Sequence, residues 1–154
     1  MDALHTELLA DRPEVIGALV ELMESVWADW YHPGGASARA ELSERLQRDR
    51  LPLGIVALNG EAAVGTCALT VSSGGLVTER SPWIGGLVVD PRWRRRGVGL
   101  LLLQRARHEA KRLGYTRVYA LTAEAMALFE AAGWRHVDTL TVSDEAHAVF
   151  EISA

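Results

Sequence analysis

Apolar residues recur along the first part of the chain at the spacing of one helix face. They return every three or four positions, at Val15, Ile16, Leu19, Leu22, Met23, Val26, Trp27 and Trp30. This spacing predicts an amphipathic helix with a buried stripe. Asp11 is placed to cap its start, with Pro13 in the first turn and Glu14 completing a capping box. The Pro-Gly-Gly run at residues 33–35 ends this helix, and a second helix is predicted over residues 37–50.

Strand patterns separated by turn residues fill most of the remaining chain. Residues 51–58 and 62–71 are rich in branched and small apolar side chains, and the Asn59-Gly60 pair between them predicts an antiparallel hairpin. A short strand precedes the first helix, and a loop is predicted over residues 72–75. The later elements are predicted as strands 81–90, 116–121, 134–142 and 146–152 and as helices 97–113 and 123–132. With no repeat and no linker, these elements predict a single α/β domain over residues 1–154.

Charge is distributed unevenly along the chain. The formal net charge is -4, yet residues 92–112 hold eight basic residues and one acidic residue, while the rest of the chain holds eight and nineteen. One basic segment on an acidic body favours a small polyanionic ligand. Nucleic acid would require a broad basic face, so we expect no nucleic-acid partner.

The numbers and positions of cysteine and histidine, together with the hydropathy of the chain, exclude further classes of protein. Cys67 is the only cysteine, so no intramolecular disulfide can form, and within a strand-like run it is expected to act as a small apolar residue. The five histidines lack the spacing of metal ligands, and we expect no metal. No apolar run approaches the about 18 residues of a membrane span, and no secretory signal begins the sequence, so no membrane partner and a cytoplasmic location are expected.

One junction in the chain combines a strand end, glycines and arginines. Pro91 ends a buried strand, and the apolar residues from Val98 onward resume at helical spacing. Gly97 and Gly99 leave the backbone open to close approach, and the first N–H groups of the new helix favour an anion. A P-loop would need Lys-Ser or Lys-Thr after the last glycine, and a dinucleotide fingerprint would need glycine at Leu102. Both templates fail, which leaves a phosphate loop of another kind or an arginine-rich surface turn.

The run Arg94-Arg95-Arg96-Gly97-Val98-Gly99 resembles the Arg/Gln-x-x-Gly-x-Gly/Ala signature of the GCN5-related N-acetyltransferase (GNAT) family. A second match, at residues 125–134, is similar to the family's late segment Asn-x-x-Ala-x-x-Leu-Tyr-Glu-x-x-Gly-Phe. The order of predicted elements is also that of the family. The resemblance implies a GNAT-like mixed, mostly antiparallel sheet of six to seven strands, flanked by about four helices.

By this resemblance, the chain transfers an acetyl group from acetyl-CoA to a primary amine by direct attack. The cofactor-binding residues implied are Leu87, Val88 and Val89 for the pantetheine arm, and Arg94, Arg95, Arg96, Gly97, Val98, Gly99 and Leu100 for the pyrophosphate. At most two of the three arginines are expected to contact phosphate directly. The amine acceptor, either a small molecule or a protein or peptide, is left open.

The sequence departs from the family at two catalytic positions. Phe129 stands where many members have the tyrosine that protonates the departing thiolate, and the strand before the glycine loop contains no carboxylate. Glu79, His136 and Asp138 lie near enough in sequence to be candidates for a general base, each with a solvated surface role as the alternative. A non-catalytic acyl-CoA-binding or regulatory domain is therefore the second function class.

Aromatic residues near the end of the first helix indicate an acceptor pocket. Trp30, Tyr31 and Trp83 are the candidates for its wall, because the family resemblance places this region beside the acceptor. A cationic acceptor is favoured over an anionic one by the acidic body of the chain. A homodimer is also expected, since the closing strands leave a sheet edge to cover.

Overall fold

The computed structural model describes residues 3–73 and 76–154, so that residues 74 and 75 of the predicted loop lie outside the described residues. The strands are β1 (Leu4–Leu8), β2 (Leu53–Asn59), β3 (Ala62–Thr70), β4 (Trp83–Val89), β5 (Arg117–Thr122), β6 (Arg135–Val142) and β7 (Glu145–Ser153). The helices are α1 (Ile16–Val26), α2 (Ala38–Glu44), α3 (Val98–Arg112) and α4 (Met126–Ala131). The expected mostly antiparallel sheet with about four helices is confirmed.

The seven strands form one sheet in the order β1-β2-β3-β4-β5-β7-β6. All neighbours are antiparallel except β4 and β5, which are parallel and joined through α3. The predicted hairpin at Asn59-Gly60 joins β2 to β3, and Gly60 takes the left-handed φ of 63° that such a turn requires. Because β7 lies between β5 and β6, the last strand in sequence is not at the sheet edge.

Two apolar layers cover the faces of the sheet. Neighbouring residues of a strand face opposite sides, so Val56 joins the core under α1 and α2 while Ile55 joins the core under α3 and α4. Leu19 and Met23 of α1 are fully buried in the first core, and Leu102 of α3 is fully buried in the second. The predicted amphipathic stripe of α1 is confirmed by this burial.

The ends of the first two helices differ from the sequence prediction. Asp11 does not cap a helix; residues 13–15 form a 3₁₀ turn capped at Arg12, and α1 begins only at Ile16. Trp27 is the C-cap residue of α1, with φ -121° and ψ 52°, so Trp30 lies beyond the helix. Ser37 does cap α2, accepting a hydrogen bond from the Ala40 N–H at 3.1 Å, but that helix ends at Glu44 rather than near residue 50.

A buried carboxylate anchors α3 to its surroundings. Glu109 is 3% exposed and accepts hydrogen bonds from Arg105 at 2.8 Å and from Arg112 at 2.7 Å. Burial raises the pKa of Glu109, but the hydrogen bonds from Arg112 and Arg105 outweigh burial, so its pKa lies below the ordinary value. Arg105 also donates to the Thr6 carbonyl of β1, and Arg112 donates to Asp49. The helix is thereby fixed against both the sheet and the segment before β2.

Strands β4 and β5 pair only over a short stretch and then diverge. Their ladder joins Trp83 to Tyr119 and Ile84 to Ala120, and it stops there. On its other side β4 carries a bulge opposite β3, since Gly85 faces Ala68 but the next paired residue is Val88. Gly86 lies in this bulge with a φ of 57°. The divergence leaves the β5-facing edge of residues 86–89 unpaired, which produces a wedge in the middle of the sheet.

Within the part of the chain that the structure describes, no helix combines the length and the apolar character that a bilayer crossing requires.

Candidate functional site

The segment after β4 is built around an aspartate cap. Asp90 accepts a hydrogen bond from the Arg92 N–H at 2.9 Å and from the Arg92 side chain, and so begins a 3₁₀ turn at Pro91–Trp93. These hydrogen bonds hold the pKa of Asp90 below its ordinary value. The turn redirects the chain from the sheet toward α3, and Arg92 forms an ion pair with Asp90 at 2.9 Å.

The arginine-glycine loop, residues 94–97, has the backbone of an anion cradle. Arg95 has a φ of 64° and Gly97 a φ of 82°, so two residues of the loop are left-handed. Gly97 is followed by the right-handed first residue of α3, and a left-handed residue beside a right-handed one turns their N–H groups into one concavity. Gly97 caps α3, whose first-turn N–H groups have no carbonyl partner within the helix. For a non-glycine residue such as Arg95 this conformation is strained, as is common at ligand sites.

Of the three arginines of the loop, two face a cavity and one does not. Arg94 and Arg95 line a cavity of about 390 Å³ together with Gly97 and Gly99, and neither forms an ion pair with a described residue. The Arg96 guanidinium instead stacks on the Trp93 ring, 4.9 Å from its centre. We call this space the loop cavity.

Gly99 allows α3 and α4 to approach each other. A Cβ at this position would meet the two methyl groups of Leu128 at 3.1 and 3.2 Å. Leu128 itself lines the loop cavity. A larger side chain at residue 99 would therefore have to displace Leu128 or fill the cavity.

Two further cavities continue from the loop cavity along the wedge. The edge cavity, about 640 Å³, shares Val89, Arg94 and Leu128 with the loop cavity. The bulge cavity, about 230 Å³, reaches Gly86 and shares Leu87 and Thr122 with the edge cavity. Together the three form a trench that runs from the arginine-glycine loop to the bulge of β4. The predicted residues Leu87, Val88 and Val89 line its middle part.

Titratable side chains at the far side of the trench come from residues that the sequence did not single out. Glu124, Glu145 and His147 line the edge cavity beside Trp27. Glu145 and His147 are two positions apart at the start of β7, which places them on the same face. His147 is half-buried, and its Nδ1 lies 3.0 Å from the Glu145 carbonyl oxygen. The sequence alone could show that Glu145 and His147 share one face of a strand. It could not show that β7 lies beside the wedge.

The predicted general-base candidates lie elsewhere. Glu79 is exposed and does not line any of the three cavities. His136 on β6 is also exposed; its Nε2 lies 2.8 Å from the Asp138 carbonyl, and its ring stacks on Phe150. Asp138 forms an ion pair with Arg80 at 3.1 Å. The structure therefore ties both residues of β6 to neighbours outside the trench.

Phe129 reaches the trench from α4. It lines the bulge cavity while remaining 2% exposed, and its ring packs edge-on against Trp134 and stacks on Phe150. Phe129 itself offers no hydroxyl. Thr122 lines the same cavity, and its Oγ1 accepts a hydrogen bond from the Ala125 N–H at 2.8 Å, which leaves its own O–H as a donor.

The three aromatic residues predicted for the acceptor pocket have different surroundings. Trp83 is fully buried, donates from Nε1 to the Arg80 carbonyl and packs on Tyr119. Tyr31 is buried and donates its hydroxyl to Glu41 at 2.7 Å. Trp30 is 64% exposed and lines none of the three cavities.

Trp27, rather than these three residues, forms the aromatic wall of both the edge and the bulge cavities. It is the residue at which α1 ends.

Cys67 takes no part in the trench. It is fully buried, and burial raises the pKa of its thiol to about 12, while the Arg45 charge lowers it slightly. The thiol is therefore protonated and enclosed, as expected for a small apolar residue. The described residues also contain no group of three or more His, Cys, Asp and Glu side chains that could hold a metal ion.

Comparison with known proteins identifies the class. The family model described as Acetyltransferase (GNAT) family matches residues 19–134, which is more than half of the chain, so the chain belongs to this family. Its members are acetyltransferases, and the match confirms the resemblance to this family that the sequence showed. Among curated protein sequences, none matches this chain.

Solved structures share the fold over nearly the whole chain. An aminoglycoside 6'-N-acetyltransferase complexed with coenzyme A superposes with a TM-score of 0.78 at 15% identity, covering 96% of each chain. An N-acetyltransferase from Staphylococcus aureus Mu50 gives 0.75 at 19% identity, covering 97% of this chain and 98% of that chain. Ard1 from Thermoplasma volcanium gives 0.73 at 16% identity, covering 99% and 98%. At these identities the likeness shows the fold alone.

Proposed function

We propose that this protein is an acetyl-CoA-dependent N-acetyltransferase that acts on a primary amine. The observation that carries the proposal is the trench, because it joins an anion cradle to an unpaired strand edge and ends at the small bulge cavity. Coenzyme A has the same order of chemical groups, a pyrophosphate followed by an amide-containing arm and a thiol. Its presence in a structural neighbour of the same family supports this assignment.

The residues present fit such a ligand. The N–H groups of the loop and of the first turn of α3 would hold the pyrophosphate, with Arg94 and Arg95 as its cationic partners. Leu87, Val88 and Val89 would offer backbone groups to the amides of the arm, as in strand addition. Arg96, Gly97, Val98, Gly99 and Leu100 complete the proposed cofactor site. Since Arg96 is stacked on Trp93, two arginines rather than three would contact phosphate.

Acetyl-CoA supplies an acetyl thioester, whose carbon–sulfur bond breaks as the amine nitrogen forms the new carbon–nitrogen bond. An ammonium acceptor must lose two protons in all: one ends on the thiol of coenzyme A, and the other leaves to a base or to water. Of the side chains along the trench, His147 is an imidazole, the group that most often serves as a general base. We propose it as the base in preference to Glu79 and His136, which do not line the trench.

The trench wall beside the bulge of β4 lacks the tyrosine hydroxyl that protonates the thiolate in many family members. Phe129 occupies that position, and its ring is held by Trp134 and Phe150. Protonation of the thiolate is therefore proposed to come from water in the trench. A non-catalytic acyl-CoA-binding or regulatory role is the second candidate, and Phe129 together with the carboxylate-free β4 is the observation that favours it.

The acceptor is proposed to enter past Trp27, Glu124 and Glu145. The two carboxylates would attract a cationic amine, and Trp27 offers it an apolar face. Aminoglycosides are acceptors of this cationic kind among the structural neighbours. Exposed Trp30 remains a proposed contact at the outer rim for a peptide or small-molecule acceptor, whereas Tyr31 and Trp83 would act only through packing.

The test combines binding and turnover. Thermal unfolding with acetyl-CoA, with coenzyme A and with adenosine alone should show a concentration-dependent stabilisation by the first two. Thiol release from acetyl-CoA is then followed with a panel of primary amines. Stabilisation with amine-dependent thiol release supports the enzyme, and stabilisation without release for any amine supports the non-catalytic candidate. Absence of stabilisation would overturn both.

The domain organisation, the cytoplasmic location and the homodimer remain proposals. Strands β1 and β6 are the two edges of the sheet at which a second copy could pair. Measurement of the mass in solution by light scattering tests the dimer.

A further inference from the structure

A buried arginine outside the arginine-glycine loop has one nitrogen without a partner. Arg45 follows α2 and is 8% exposed, although long charged side chains are seldom buried unless they are paired. Within the described residues, its Nη1 is the only buried side-chain nitrogen or oxygen that has no hydrogen-bond partner. A buried donor left unsatisfied is costly, and for a charged group the cost is larger. Nη1 is therefore expected to donate to a hydrogen-bond acceptor that a ligand supplies.

The guanidinium is only loosely neutralised by the protein. Glu41 is its ion-pair partner, but Nη2 lies 3.6 Å from the carboxylate, which is too long for a hydrogen bond. The same Glu41 oxygen accepts the Tyr31 hydroxyl at 2.7 Å. Burial and this hydrogen bond both raise the pKa of Tyr31, so the hydroxyl stays protonated and keeps its hold on Glu41. Arg45 is left with unused capacity to bind an anion.

The free nitrogen lies against the bulge of β4. A Cβ at Gly86 would stand 2.8 Å from Nη1, so the guanidinium occupies the space that a side chain of residue 86 would fill. Gly86 in turn lines the bulge cavity, at the end of the trench. Arg45 does not itself line the bulge cavity; it lies behind Gly86, and position 86 has no side chain between the guanidinium and the cavity wall.

We infer that Arg45 binds a carboxylate of the acceptor, so that the acceptor is an amino acid or a compact amine that carries a carboxylate close to its amino group. The inference rests on the proposed function, whose acceptor end it specifies. The size of the bulge cavity, about 230 Å³, suits a molecule of this size. Glu124 and Glu145, which line the edge cavity, would meet the ammonium end of such a molecule, and Arg45, which lies against Gly86, would meet its anionic end.

The first experiment compares acids with their amides. Each amino acid is assayed against its own amide, for example L-alanine and L-alaninamide, because the pair differs chiefly in the group that Arg45 would bind. The wild-type kcat/KM should favour the acid by about 10- to 100-fold, the usual effect of one charged hydrogen-bonded contact. In Arg45→Met that ratio should fall to near one, and Arg45→Lys should restore part of it. Arg48→Met, which removes an exposed charge on the same segment, is the control and should keep the wild-type ratio.

A stability measurement separates this role from a structural one. Because Nη1 is unsatisfied and the Glu41 pair is long, Arg45→Met should unfold at or above the wild-type temperature. A structural arginine would instead lower that temperature and leave the acid-to-amide ratio unchanged. That combination, or a wild-type enzyme without preference for acids, would overturn the inference.

Calorimetric binding in the presence of coenzyme A tests the site without turnover. The titrants are amino acids and their amides, added to wild type and to Arg45→Met. If no amine is acetylated, the proposed function fails, but acid-selective binding that depends on Arg45 would still support the anion site. If neither acids nor amides bind, the anion site is refuted even where transfer to other amines is observed.

Discussion

Gly99→Leu should abolish cofactor binding while leaving the domain folded. The Cβ of any larger residue would lie 3.1 and 3.2 Å from the Leu128 methyl groups, and the rest of a leucine side chain would have to enter the loop cavity of about 390 Å³. Without ligand, overpacking of about 1–3 kcal/mol is partly offset by the gain of about 0.8 kcal/mol in helix propensity. The variant should therefore stay folded.

The expected size of the effect follows from mass action. At acetyl-CoA concentrations 100 times the dissociation constant, binding adds about 2.7 kcal/mol to wild-type stability, which raises the unfolding temperature by about 5–11 °C in a domain of this size. A 100-fold loss of affinity at the same concentration leaves about 0.4 kcal/mol, or a shift of about 1–2 °C. Differential scanning fluorimetry over a range of acetyl-CoA concentrations measures both values.

Two further variants make this experiment specific. Gly99→Ala places only the Cβ against the flexible end of Leu128 and should keep most of the ligand-induced shift. Gly114→Ala, at a left-handed position with no neighbour within 4 Å, should lower the unfolding temperature without ligand but keep the full shift. A Gly99→Leu protein that acetyl-CoA stabilises as strongly as wild type would refute the placement of the cofactor.

Three other predictions concern groups along α3 and the trench. Glu109→Gln should lower stability by about 3 kcal/mol at neutral pH. Because the pKa of Glu109 in the folded protein lies below its ordinary value, the ionised carboxylate stabilises the fold above that ordinary value, and this stabilisation is lost as the pH falls through the folded pKa. Denaturant unfolding from pH 7 to pH 3 should therefore show the free energies of unfolding of wild type and Glu109→Gln converging. His147→Asn should lower kcat/KM by about 100-fold, and an unchanged kcat/KM would exclude His147 as the base. Phe129→Tyr should raise kcat if thiolate protonation limits turnover, and a solvent isotope effect on thiol release that stays the same in both proteins would argue against such a limit.

The glycine loop and the hairpin could be predicted from residues close together in the sequence. Pro91 and the Asn59-Gly60 pair constrain the backbone within a few residues, so their effect does not depend on distant parts of the fold. Helix ends were harder to predict, because apolar residues continue past the end of α1. Trp27 packs against the core under α1 and α2 and also lines the trench, although it lies beyond the last residue of α1.

The residues that line the trench could not be derived from chain order. His147 reaches the edge cavity only because β7 inserts between β5 and β6, an arrangement that the strand pattern does not specify. Arg45 follows a short helix, and a charged residue there indicates a solvated end. Its burial depends on Gly54, which lies against its backbone, and on Gly86, which leaves room for its guanidinium. Two glycines on different strands thus create a pocket that neither indicates alone.

The short ladder between β4 and β5 has a consequence for how the protein holds together. Only two residue pairs join the part of the sheet before α3 to the part after it, so hydrogen bonding across the sheet is weakest at its centre. An extended ligand that pairs with both edges of the wedge would act as a missing strand and couple the two parts. Amide hydrogen exchange should then slow on both flanks together when the ligand binds, at Leu87–Val89 and at Leu121–Thr122. We therefore expect the free protein to open first between β4 and β5, and we expect bound ligand to make the two parts of the sheet unfold together.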